Sequence, residues 1–63
     1  MLDKYGLLKE TREYKKTVES RFEYLEELEE NALLEVFQDD EMELLKKIID
    51  NLERLDDIIL MEN

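Results

Sequence analysis

The sequence predicts an all-α fold, a two-helix hairpin that dimerises into a four-helix bundle. Three observations point there. Apolar residues recur at helical spacing in two separate blocks, and polar turn formers lie between the blocks. The composition, 44% charged and 43% hydrophobic with no Pro, suits long solvated helices and argues against disorder over the body of the chain.

The first helix is expected over residues 3 to about 36. Leu7, Thr11, Tyr14, Val18, Phe22, Leu25, Leu28, Ala32 and Val36 recur at steps of three or four, which averages close to the helical period and draws one stripe. Its opposite face reads Lys9, Arg12 and Lys16, then Glu19, Glu23, Glu27 and Glu30, so it changes from basic to acidic along the axis. A solvated face is the ordinary role of such a surface, and a partner-binding face is the functional one.

The turn is expected at 37 to 40, where Gln38-Asp39-Asp40 supplies turn formers and Asp40 and Glu43 have the spacing of a capping box. The second helix then runs from about 40 to 61. Leu45, Ile48, Leu52, Leu55 and Ile59 form its stripe, and Leu44, Ile49 and Ile58 widen it beyond what one neighbouring helix covers. On the outward side Glu43 precedes Lys47, and Asp50 precedes Arg54, by four residues in the favourable order.

At 1.5 Å per residue the two helices would measure roughly 50 and 33 Å. That mismatch sets residues 1 to 14 apart as a candidate N-terminal arm: either Gly6 or the region after it bends back, or, as the preferred expectation, Leu7, Leu8 and Tyr14 lie on a second subunit. The whole of 1 to 63 is otherwise a single helical-hairpin domain. A chain of 63 residues buries too little apolar surface to offset chain entropy comfortably, and without Cys or His it lacks disulfide and zinc staples. Pairing with a second copy is the remaining route. Val18, Phe22, Leu25, Leu28, Leu45, Ile48, Leu52, Leu55 and Ile59 are the expected core and dimer interface. Leu34 and Phe37 fall off the first stripe. Either the first helix ends or bends near Asn31 and both pack on the second helix, or they form an exposed apolar docking patch.

The net charge is -10, and it is unevenly placed. Residues 1 to 21 carry six basic and four acidic side chains, net +2, which leaves residues 22 to 63 with net -12. Such a chain repels nucleic-acid phosphates and anionic lipid and attracts basic partners. The longest apolar run is the four residues from Ile58 to Met61, so a soluble, cytoplasmic protein is expected, with no membrane partner.

Chemistry has little to work with. There is no Cys or His, one Ser (Ser20) and one Gly (Gly6), which leaves no common nucleophile-base pair, no Gly-rich phosphate loop and no implied cofactor or metal. Lys9, Arg12, Lys15, Lys16 and Arg21 cluster around Tyr14, but Glu10, Glu13 and Glu19 interleave with them, against direct nucleic-acid binding.

Three resemblances bear on this reading. Residues 22 to 58, from Phe22-Glu23-Tyr24-Leu25 through Leu33-Leu34-Glu35-Val36-Phe37-Gln38-Asp39-Asp40-Glu41 to Leu52-Glu53-Arg54-Leu55, resemble the C-terminal helix pair of MarR-type transcription regulators. That resemblance implies dimerisation through Leu25, Leu28, Leu45, Leu52 and Leu55; the winged helix that reads DNA is not among these residues. In size and layout the chain is similar to Rop-type dimeric four-helix bundles, which implies architecture. Glu26, Glu27 and Glu30 with Glu53 and Asp56 look like the EExxE and ExxD pattern of the all-α nucleoside triphosphate pyrophosphohydrolases, which implies a magnesium enzyme.

The leading expectation is a non-catalytic homodimeric interaction protein, an adaptor or small regulator that binds a larger basic protein. Glu23, Glu27, Glu30, Leu34 and Phe37 are the candidate partner-binding residues, the acids in one variant standing in for nucleic-acid phosphates. The alternatives are an assembly protein joined basic arm to acidic body, and the magnesium enzyme.

Overall fold

The computed structural model describes residues 3 to 62, which form two helices packed as a hairpin, α1 (Lys4–Glu30) and α2 (Val36–Met61). Asp3 caps α1, its side chain accepting a hydrogen bond from the Gly6 N–H at 2.7 Å.

Both helix boundaries at the turn differ from the sequence expectation. α1 ends at Glu30, as the alternative of an end near Asn31 has it, and not near 36, and the turn occupies residues 31 to 35 and not 37 to 40. The reason lies in the backbone after Glu30. The Leu33 N–H donates to the Leu28 carbonyl and the Ala32 N–H to that of Glu29, while Ala32 takes φ 58. This is a Schellman ending with alanine at the left-handed position that glycine usually fills. The Asn31 side chain adds a hydrogen bond to the Glu27 carbonyl at 3.0 Å. α2 then begins at Val36, with Gln38 Oε1 accepting from the Glu35 N–H at 2.8 Å. That reach back from the third helical residue is one arm of a capping box. Asp40 and Glu43, expected to cap, lie inside α2.

The boundary shift also removes the length mismatch. At 27 and 26 residues the helices match, so the segment set apart as an arm, residues 1 to 14, is from Lys4 onward part of α1 and lies against α2 of the same chain. Lys4 Nζ donates to the Glu62 carbonyl, closing the far end of the hairpin.

Between the helices the least exposed residues follow a three-four alternation on both sides: Leu8, Thr11, Lys15, Val18, Phe22 and Leu25 on α1, and Met42, Leu45, Ile49, Leu52, Asp56 and Ile59 on α2. The hairpin is therefore a short antiparallel coiled coil. Leu25 is fully buried, and Val18 and Ile59 complete the buried apolar set among the described residues. Phe22, Leu28, Leu45 and Leu52 are half-buried. Ile48 and Leu55, expected in the core or dimer interface, stand one step outside the seam between the two helices, where Ile49 and Asp56 take the seam positions. Thr11 is buried because its hydroxyl donates back to the Leu7 carbonyl at 2.8 Å. No helix among the described residues is long and apolar enough to cross a membrane.

Candidate partner-binding surface

The seam leaves three surfaces, and each has a different chemistry. One edge of the hairpin is polar and internally paired. Arg12 Nε meets Asp56 Oδ1 at 2.8 Å, and Lys15 Nζ meets Glu53 Oε1 at 3.2 Å. The hydrogen bond from Arg12 holds the Asp56 carboxyl below the usual carboxylate range, and the same bond raises the guanidinium. Lys15 is likewise raised, chiefly by its hydrogen bond to Glu53. These residues line an open groove of about 280 Å³ with Thr11, Lys16, Glu19 and Leu52. The groove's charges largely satisfy one another, which leaves little to hold a charged small molecule.

The opposite edge is apolar with one ion pair. Arg21 Nε meets Glu41 Oε2 at 2.7 Å, and the guanidinium lies 5.3 Å from the Tyr24 ring centre. That hydrogen bond lowers the Glu41 carboxyl and raises Arg21. Tyr14 lies seven residues before Arg21, and Ile48 and Leu55 lie seven and fourteen after Glu41, so they share this edge. All three are exposed, as are Leu7, Leu44 and Ile58.

The third surface is the turn end. Residues 22 to 45 hold ten carboxylates and no basic side chain, so their net charge equals that of the whole chain, -10. Glu26, Glu27, Glu29 and Glu30 crowd the last turns of α1, where no basic residue stands. The helix dipole is negative there, so each carboxylate is placed where it costs stability. Beside them are large apolar side chains in solvent: Val36 is 85% exposed, Phe37 66% and Leu33 65%.

Of the residues expected to bind a partner, Glu23, Glu27, Glu30 and Phe37 are all exposed at this end. Leu34 is half-buried. Leu33 and Val36 belong to the same patch and were missed; the run Leu33-Leu34-Glu35-Val36-Phe37 was the available signal, since its four apolar residues would span a wider arc of a helix than one neighbouring helix covers.

The carboxylates of the pyrophosphohydrolase-like pattern are not brought together. Glu53 and Asp56 pair with Lys15 and Arg12, roughly 17 and 21 Å along the axis from Glu26. Among the described residues no group of three or more acidic side chains is placed to hold a metal ion. No family model matches the chain, and no curated protein or solved structure is significantly similar to it.

Proposed function

We propose that this chain is a non-catalytic, homodimeric helical interaction protein, an adaptor or small regulator whose acidic turn end binds a larger, basic protein. The observation that carries this reading is the turn end. Carboxylates collected at the C-terminus of α1 lower its stability, and Val36 and Phe37 beside them gain nothing from the fold while in water. Local rules of this kind are broken mainly where function requires it. A basic partner with an apolar contact surface offsets both costs at once, the Coulombic one through its cations and the apolar one through burial.

Homodimerisation is supported by the thinness of the single-chain core. Among the described residues only Val18, Leu25 and Ile59 are buried apolar side chains, while an apolar edge of the hairpin stays in solvent.

The test is affinity capture from the native cell at low and high salt, with the intact chain and a Glu27→Gln, Glu30→Gln, Phe37→Ser variant as paired baits. The expected result is a basic protein retained by the intact chain, released by salt and absent from the variant, with the variant's helix content unchanged. Retention of the same proteins by both baits contradicts the reading.

A further inference from the structure

We infer that the second copy docks antiparallel along α2, with the two-fold axis passing beside Asn51. This rests on the homodimer reading above and adds the surface, the direction and the register. Leu44, Ile48, Asn51, Leu55 and Ile58 are exposed and recur at steps of four and three, a second stripe on α2 outside the seam used by α1. The stripe is nearly the same read from either end. Leu44 and Ile58 each lie seven residues from Asn51, and Ile48 and Leu55 lie three and four from it.

A surface that reads alike in both directions is what an isologous contact needs, since each copy presents the same patch to the other. Antiparallel pairing about Asn51 sets Leu44 against the second copy's stripe end at Ile58, and Ile48 against Leu55. It also brings Asn51 near its own counterpart, where one amide's donors meet the other's acceptor. Sliding the register by a heptad would bury the amide against Leu44 or Ile58 without a partner, so a single central Asn fixes the alignment at some cost in stability.

Charge selects the direction. The turn end, residues 22 to 45, has net charge -10, which leaves the remaining residues of the chain at zero. A parallel dimer sets one -10 end beside another, whereas the antiparallel dimer sets it beside the neutral end. Lys47 and Arg54 approach one another across the axis in this arrangement. Each follows a carboxylate by four residues, Glu43 at 4.0 Å from Lys47 and Asp50 before Arg54, which offsets the like charge.

The area is of the right size. The single chain exposes 5278 Å², against about 4,300 Å² for a compact monomer of its mass. The excess, about 980 Å², is enough for the roughly 800 Å² that each partner loses in a standard interface. This register leaves residues 33 to 39 projecting beyond the partner's α2, so the dimer presents two free acidic turns, with the first residues of the paired α2 helices roughly 45 Å apart.

The chain has no native Cys, so single Asn51→Cys, Leu44→Cys and Ile58→Cys variants of the full chain, treated with a short bis-maleimide, read the register directly. Asn51→Cys should yield covalent dimers. Leu44→Cys and Ile58→Cys should each yield none alone, because antiparallel copies hold like positions roughly 21 Å apart, yet should join one another when mixed. Lys46→Cys, facing away from the stripe, should yield none. Efficient joining of Leu44→Cys to itself overturns the antiparallel register. A dimer in sedimentation with no cross-link at Asn51→Cys overturns the surface, and a monomer of the intact chain at every concentration overturns the homodimer reading itself.

Discussion

The two ends of the hairpin are built from the same two helices and treat charge in opposite ways. At the open end the seam is partly polar, with Thr11, Lys15 and Asp56 in core positions, and the charges are paired across the helices by Arg12–Asp56 and Lys15–Glu53. At the turn end the seam is apolar, with Val18, Phe22, Leu25, Met42 and Leu45, and apart from Glu41 paired to Arg21 and Glu43 near Lys47 the carboxylates face solvent, several of them beside Val36 and Phe37. One end spends its polar groups on holding the helices together. The other takes its cohesion from apolar packing and leaves most of its surface carboxylates out of the contacts between the helices.

If that division is right, cohesion is most sensitive at the turn-end seam. Leu25→Ala should lower stability by about 3 kcal/mol, because it truncates a fully buried side chain and leaves a cavity, and urea unfolding followed by circular dichroism will measure it. A loss of only a few tenths would mean that the apolar seam does not carry the fold. Ala32→Gly tests the turn itself. A residue with a Cβ at φ 58 is strained, so glycine should raise stability by about 1 kcal/mol in the same assay. No gain would mean that Ala32 is not held in the left-handed region in solution.

A smaller gain is expected from neutralising the acids at the end of α1. Glu27→Gln and Glu30→Gln should each stabilise by about 0.5 kcal/mol at low ionic strength, and the gain should shrink as salt screens the dipole. Destabilisation by either would remove the basis for assigning those carboxylates to a partner.

The smallest change should come from the exposed pairs at the open end and beside Tyr24. Asp56 and Glu41 have carboxyls held below the usual range by hydrogen bonds from Arg12 and Arg21, so each is more acidic folded than unfolded. Their contribution is therefore complete above the ordinary carboxylate range, about pH 4, and is lost as pH falls through the depressed folded values. Asp56→Asn should flatten the acid limb of a stability-against-pH curve slightly and leave the neutral plateau almost unchanged. A large drop at pH 7 would show that the open end is held by charge more than this geometry allows.

The sequence disclosed the helix pair because leucines and isoleucines at three-four spacing leave few other folds open. It concealed the turn because Asn31-Ala32 has no glycine to mark a left-handed ending, whereas Gln38-Asp39-Asp40 looks like a break and is instead the first turn of α2. Ile48 and Leu55 were grouped with the core and dimer interface together for a related reason. α2 carries two adjacent apolar stripes, and only the position of α1 decides which is inside. The polar seam residues Lys15 and Asp56 carry no apolar signal at all. Of the candidate site, the acids and Phe37 were legible from charge and from a break in the stripe, whereas Val36 was absorbed into a helix that stops before it.

The homodimer is the central claim, and sedimentation equilibrium of the intact chain tests it most directly. The account predicts a species of twice 7.7 kDa at low and high salt alike, because the surface joining the copies is apolar with one amide at its centre. A monomer at every concentration, or larger assemblies that dissolve as salt is raised, would contradict it.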